Sequence, residues 1–383
     1  MSESDEARSD VRSTGHPRIA TLLVVVGTLV AIIAVFSIWA NRQALNTDNW
    51  VDTSDRILQN PEVQDQLSIY IADQITANVD IQDEIAGKLP PRLAPLAAPI
   101  AGGLEQLAPQ ATERALESSQ FETVWRDANR AAHIALLKVL DGGGENVSTE
   151  NGAVVLNLNS LLTQVTSEIG VGSKLAEKIP PDAGQITILE ADELSTAQDG
   201  AQLIRKLPIV LTLVMILLYG LAIWLGGPRR RETLRSIGIG FIVAGFVALF
   251  ARKIGGHALV DALTAREAGE PAAQAVWDIG TSLLVTVATS AITFGILLFL
   301  GALLAGPTRL ATRARQEAAP YIRDNQWMAA GIAAAVFIAL IIWAPIAAFE
   351  RPLGILVFLL LFVAGAEILR RKILSEFPAK PAG

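Results

Sequence analysis

The stretch Ile19–Ala40, IATLLVVVGTLVAIIAVFSIWA, contains no Asp, Glu, Lys or Arg. As a helix rising about 1.5 Å per residue it crosses roughly 30 Å, the thickness of a bilayer's hydrocarbon core. A cleavable signal peptide is the competing reading, but its apolar core is shorter, and no small-x-small cleavage site follows Ser37. The stretch is therefore read as an uncleaved membrane anchor.

Five further apolar segments follow: Pro208–Leu225, Leu234–Ala251, Ser282–Ala305, Trp327–Ile346 and Leu353–Leu369. With 51% hydrophobic residues and a mean hydropathy of +0.41, they predict a mainly α membrane protein of about six transmembrane helices. The third and sixth segments are short. Arg252 with Lys253, and Arg370 to Lys372, extend their reach by snorkelling.

Orientation follows from Lys and Arg near the helix ends, which favour the cytoplasm. Arg229, Arg230, Arg231 and Arg235 lie in one connection, Arg309, Arg313, Arg315 and Arg323 in another, and Arg370 opens the tail. With six alternating helices all three groups fall on the side of the N-terminus. Both termini are thus expected in the cytoplasm of a multi-pass plasma-membrane protein. Trp39, Trp224, Trp277, Trp327 and Trp343 stand near span ends, where amphipathic rings favour the headgroup level.

The domain plan is a disordered N-terminal tail over 1–18, the anchor over 19–40, an extracytoplasmic insertion over 41–207, the remaining spans between 208 and 369, and a cytoplasmic tail over 370–383. The insertion is long enough to bury its own core, and its Asp and Glu outnumber Lys and Arg roughly two to one. An ordinary solvated exported surface explains that excess, and no D-x-D-x-D-G calcium loop is present. The chain has no cysteine. The insertion therefore relies on packing rather than disulfides, and Cys-type zinc sites are excluded. No metal ligand set and no cofactor is predicted.

Within the insertion, Asn60 and Pro61 mark a helix start, with Val63, Leu67, Tyr70, Ile71 and Ile75 as its expected buried face. Pro90, Pro91, Pro95, Pro99 and Pro109, with Gly102 and Gly103, predict a kinked or broken helix in the next stretch. Ser119 and Glu122 match a capping box for a helix whose expected core stripe is Phe121, Val124, Trp125, Ala128, Ala132, Ala135, Leu136 and Val139. Gly142 to Gly144 end it. Glu122 with Arg126, and Asp127 with Arg130, are spaced to pair along its surface. His133, one of three histidines in the chain, lies at the stripe's margin without a nucleophile or second titrating group in reach. Arg126, Arg130 and His133 are read as a candidate partner-binding surface and not as a catalytic site. Beyond them, GAVVLNLN (Gly152–Asn159) and QITILE (Gln185–Glu190) read as strands of a small β-ribbon, and a helix is expected after Asn159 or Ser160.

The ordered stretches LNTDNWVDTSDRILQNPEVQDQL, FETVWRDANRAAHIALLKVLDG, GAVVLNLNSLL, ITILEADELSTAQDGAQLIRKL and LAGPTRLATRAR cover most of Leu45 to Arg315. In them the chain resembles actinobacterial multi-pass integral membrane proteins of uncharacterised function. The resemblance implies an ectodomain placed after the first of several spans. It brings no catalytic or binding residues, and the last two spans match only in hydropathy.

The function classes narrow accordingly. Coupled transport usually places ionisable residues at mid-membrane, and these spans carry almost none. Thr286, Thr289, Ser290 and Thr293 form one hydroxyl stripe on the fourth span, a candidate polar face for a permease or channel subunit; interhelical hydrogen bonding is its plainer account. The Arg229–Arg231 and Arg370–Lys372 clusters can meet anionic membrane lipids, but they are shorter than dedicated lipid patches. No phosphate loop, H-E-x-x-H or nucleophile elbow occurs, and basic content is too low for nucleic acid. The expectation is a non-enzymatic envelope protein whose ectodomain binds, senses or scaffolds through an envelope protein or glycan.

Overall fold

The structure is a computed structural model that describes residues 16–78, 81–90, 92–142, 147–150, 153–157, 185–189, 191–263, 269–343 and 352–377. It is mainly helical. In chain order come α1 (Pro17–Ala44), α2 (Thr47–Leu58), α3 (Pro61–Asn78), α4 (Ile81–Lys88), α5 (Ala97–Leu116) and α6 (Ser119–Leu140). Strands β1 (Val147–Glu150), β2 (Ala153–Asn157) and β3 (Gln185–Leu189) follow, then α7 (Ala191–Leu225), α8 (Arg230–Leu263), α9 (Glu270–Gly280), α10 (Ser282–Leu304), α11 (Arg309–Asp324), α12 (Gln326–Trp343) and α13 (Pro352–Glu376). The tail before His16, the helix expected after Asn159, the end of the fifth segment beyond Trp343 and the tail from Pro378 lie outside the described residues.

Among the described residues, four helices are long and apolar enough to cross a membrane: Pro17–Ala44, Ser195–Leu225, Gly227–Ala262 and Ser282–Leu304. The fifth expected segment contains the shorter apolar helix Ala330–Ile341, and the sixth lies within α13, which runs on to Glu376. The helix that carries the third segment runs beyond Ala251. Arg252 and Lys253 sit inside α8, which continues to Leu263.

The chain forms two compact units, one of Met1–Trp39, Lys206–Arg252 and Leu283–Gly383, the other of Ala40–Arg205 with Lys253–Ser282. In the first, α1, α7, α8 and α10 meet through two clusters. Val35, Ala248, Leu284, Val287 and Ala288 form one; Val24, Tyr219, Ala222 and Ile237 form the other. Ala222, Ala244, Ala248 and Ala288 are fully buried, while Leu213, Leu217, Phe246 and Phe250 are exposed. Small residues inside and large apolar residues outside is the pattern of helices whose outer solvent is hydrocarbon.

Glycines lie at the closest of these crossings. A Cβ on Gly238 would stand 2.8 Å from the Gly295 carbonyl oxygen, and one on Gly245 would stand 2.5 Å from that of Ala288. Gly240 faces the Thr28 hydroxyl, and Thr28 Oγ1 lies 3.3 Å from the Tyr219 hydroxyl. The α8 and α10 backbones are thus too close for a methyl group. Gly245→Ala should push them apart and cost about 1–2 kcal/mol, as overpacking does, lowering the unfolding temperature of the full chain in detergent.

In the second unit α2 packs on α6, α3 and α4 on α5, and α9 on α2 and α3. Asn60 caps α3 as expected, its Oδ1 accepting from the Glu62 and Val63 amides. The most buried side of α3 is shifted by one residue from the expected stripe, of which Val63, Leu67 and Ile71 are half-buried. Gln64, Ser68 and Ala72 point inward, and Tyr70 is largely exposed. These small and polar groups suit close contact with the Ala97 and Ala101 face of α5. The proline-rich stretch breaks the helix as expected: α4 ends at Lys88, a 3-10 turn follows at Ala94–Leu96, and α5 starts at Ala97 and continues through Pro109. Helix α6 begins one residue earlier than the capping box requires. Ser118 Oγ accepts from the Phe121 amide, which puts Phe121 at the position where the box needs Glu. Gly142, at φ 104°, follows the last turn of α6.

The backbone of β2 pairs antiparallel with β1 and with β3 in the order β1-β2-β3, with a bulge at Val154/Val155.

Candidate functional site

The expected core stripe of α6 is rotated in the structure. Val124, Ala128, Ala132 and Leu136 are exposed, and the two buried residues are His133 and Val139. The inward face includes Trp125, Asn129 and His133, at i, i+4, i+8, and it packs against α2. His133 is 2% exposed. Its Nδ1 lies 3.1 Å from Thr47 Oγ1, its Nε2 lies 3.2 Å from the Ala44 carbonyl oxygen, and its ring stacks on Trp50 at 5.0 Å. Thr47 is the first residue of α2 and Ala44 the last of α1, so one imidazole fixes the corner between them.

The two arginines close the same seam. Arg126 Nε donates to Asp55 Oδ2 at 2.5 Å and Arg130 Nη1 to Asp48 Oδ1 at 2.8 Å. These partners are on α2 rather than the expected Glu122 and Asp127 on the helix itself. Trp125 Nε1 donates to the Ser54 carbonyl oxygen, and Asn129 to that of Trp125. Arg126, Arg130 and His133 are therefore brought together, but facing α2 within one unit; both arginine side chains stay nearly half exposed.

The hydroxyl stripe has a similarly local account. Thr289 donates to the Val285 carbonyl oxygen at 2.7 Å, Ser290 to Thr286 at 2.7 Å and Thr293 to Thr289 at 2.8 Å. These are bonds to the preceding turn of α10. The fully buried face of α10 is instead Leu284, Val287, Ala288 and Gly295.

A charged centre that sequence reading missed lies at the end of α10. Arg315, on the inner face of α11 with Ala311 and Ala319, is 2% exposed. Its Nη1 donates to the carbonyl oxygens of Leu304 (2.5 Å) and Gly306 (2.8 Å). Its Nε and Nη2 grip Glu376 of α13 at 2.8 and 3.0 Å. Lys372 donates to the Ala305 carbonyl oxygen. A cation at the C-terminal end of α10 meets both the unpaired carbonyls and the negative end of the helix dipole. Hydrogen bonds from Arg315 hold the Glu376 carboxyl below its ordinary value. Burial, followed by the charges of Arg231 and Arg315, lowers that of Lys372. The sequence showed Arg315 only as one of four arginines in a connection.

One apolar surface in the second unit stays about half exposed. Helix α5 turns its alanines to α3 and, with Leu96 of the preceding 3-10 turn, leaves Ile100, Leu104 and Leu107 between 42% and 56% exposed. They recur at intervals of four, four and three residues, so they form one stripe. Gly103 lies on the same side, with nothing within 4 Å of where its Cβ would stand. Exposed apolar stripes of this kind mark interaction surfaces.

Among the described residues, no group of three or more His, Asp and Glu side chains gathers where it could hold a metal ion. Compared with known proteins, the chain matches no family model, no curated protein and no solved structure.

Proposed function

We propose that this is a six-span membrane protein of the actinobacterial type it resembles, which binds an envelope protein through the α5 face of an extracytoplasmic unit. The observation that carries the reading is the exposed stripe Leu96, Ile100, Leu104 and Leu107. Its spacing fits an apolar helix of another protein, with Gly103 allowing close approach. A lipid surface fits less well, because membrane-surface helices carry Lys and Arg on the polar face. In α5 the charged residues are Glu105, Glu113 and Arg114. No enzymatic step is assigned.

The topology rests on two supports. Arginines in the second-to-third and fourth-to-fifth connections and in the tail favour cytoplasmic termini. In that arrangement 41–207 and 253–282 lie on the same outer side, which accords with their joining one compact unit.

The test is site-specific photocrosslinking in intact host cells from Leu104 and Leu107, read by mass spectrometry. One envelope protein should be captured from both positions, and Leu104→Glu with Leu107→Glu should reduce capture about tenfold while leaving the unfolding temperature unchanged. Crosslinks to lipid or to the chain alone would overturn the reading.

A further inference from the structure

Helices α11, α12 and α13 enclose an elongated cavity of about 910 Å³ within the first unit. That is near the upper end of the roughly 300–1,000 Å³ of small-molecule sites. Its walls are apolar and its small residues make the room: Ala318, Ala330, Ala333, Ala334 and Ala366 line it, with Phe337 and Phe362 packed ring to ring at 5.2 Å. Along α12 the lining runs from Trp327 to Ile338 and along α13 from Leu359 to Ile373. At about 1.5 Å per residue these are roughly 17 and 21 Å, so the cavity is a groove.

Its polar groups gather at one mouth. Phe337 meets Phe358 and Phe362, while Arg315 ties α11 to the end of α13. The start of α12, which follows α11 directly, therefore lies beside the end of α13. Tyr321, Trp327, Glu367 and Arg370 line this end. Arg370 and Arg371 both pair with the single carboxylate of Glu367, leaving positive charge in excess at the mouth. An apolar channel with aromatics and cations at one opening is complementary to an amphiphile with an anionic head.

We infer that the groove holds an acyl chain of an anionic phospholipid, with its phosphate at the Arg370 and Arg371 mouth. The inference rests on reading α12 and α13 as membrane spans. A lipid chain fills apolar volume that would otherwise lie open between two apolar helices, and the arginines set the headgroup preference. Neither short basic cluster alone carried this in the sequence; the groove beside Arg370 does.

The test uses the full chain in nanodiscs containing phosphatidylglycerol with a photoreactive diazirine midway along one acyl chain. Phosphatidylcholine with the same chain serves for comparison. Labelling mapped by mass spectrometry should concentrate on Ala333, Phe337 and Phe362, about tenfold above Val336 and Leu360, which are exposed and do not line the groove. Ala333→Phe with Ala366→Phe should remove the excess. Arg370→Gln should keep the chain in the groove and lower the phosphatidylglycerol preference about fivefold, the worth of one basic side chain at an anionic surface. Labelling spread evenly over Val336, Leu360 and the groove would overturn the site and keep the spans. Equal labelling by both lipids would overturn the anionic head. No labelling on either helix would overturn the spans and the site together.

Discussion

Arg315→Ala should lower the stability of the α10–α11–α13 junction by about 3 kcal/mol, the low end of the cost of breaking a buried ion pair. The low end applies because Glu376 is 35% exposed, and water can solvate it once the guanidinium is gone. The loss has other parts. The carbonyl oxygens of Leu304 and Gly306 lose their donor at the end of α10, and the volume of a fully buried side chain is vacated. Arg315→Lys should recover little, since one ammonium cannot grip a carboxylate with two parallel bonds and also reach two carbonyl groups. Thermal unfolding of the purified full chain in detergent reads the loss, and protease sensitivity between α10 and α11 locates it. An unchanged unfolding temperature would show that the pairing contributes nothing.

The same pair sets a pH dependence. The folded-state Glu376 carboxyl is lowered from the ordinary 4.5 by its hydrogen bonds from Arg315. A depressed carboxyl contributes stability that is fully present above the unfolded value and is lost as pH falls through the folded one. Wild-type stability should therefore drop below about pH 4.5 more steeply than that of Glu376→Gln, which has no proton to gain.

His133→Ala should destabilise the second unit by about 2–3 kcal/mol. The imidazole is buried, stacks on Trp50 and bonds both Thr47 and the Ala44 carbonyl oxygen. Alanine leaves those two polar groups without a partner and opens space beside Trp50. His133→Asn, which still offers a donor and an acceptor, should lose less. The contrasting pair is Arg126→Ala and Arg130→Ala, whose ion pairs are solvent-accessible and should each cost less than about 1 kcal/mol. Thermal unfolding of all four variants checks the order. If His133→Ala left stability intact but abolished capture of the envelope partner, the histidine would belong to the binding surface and not to the α1–α2 corner.

Apolar length and composition are local properties, so the sequence alone determined the four membrane-length helices. Caps are local too: Asn60 could be read because its side chain serves amides two and three residues away. The cluster Arg126, Arg130 and His133 stood out in the sequence, but its partners Asp55, Asp48 and Thr47 are 71, 82 and 86 positions away. Helical spacing ranks the faces of α6 by hydrophobicity and would bury Leu136. Only the packed structure decided that His133 and Trp125 face α2, because a fully hydrogen-bonded polar seam can be buried as readily as an apolar one. Glu376 meets Arg315 across 61 positions, and Lys253–Ser282 joins a unit built mostly from residues before 206. Such pairings depend on which helices lie side by side, a property of the whole chain's packing that no window along the sequence contains.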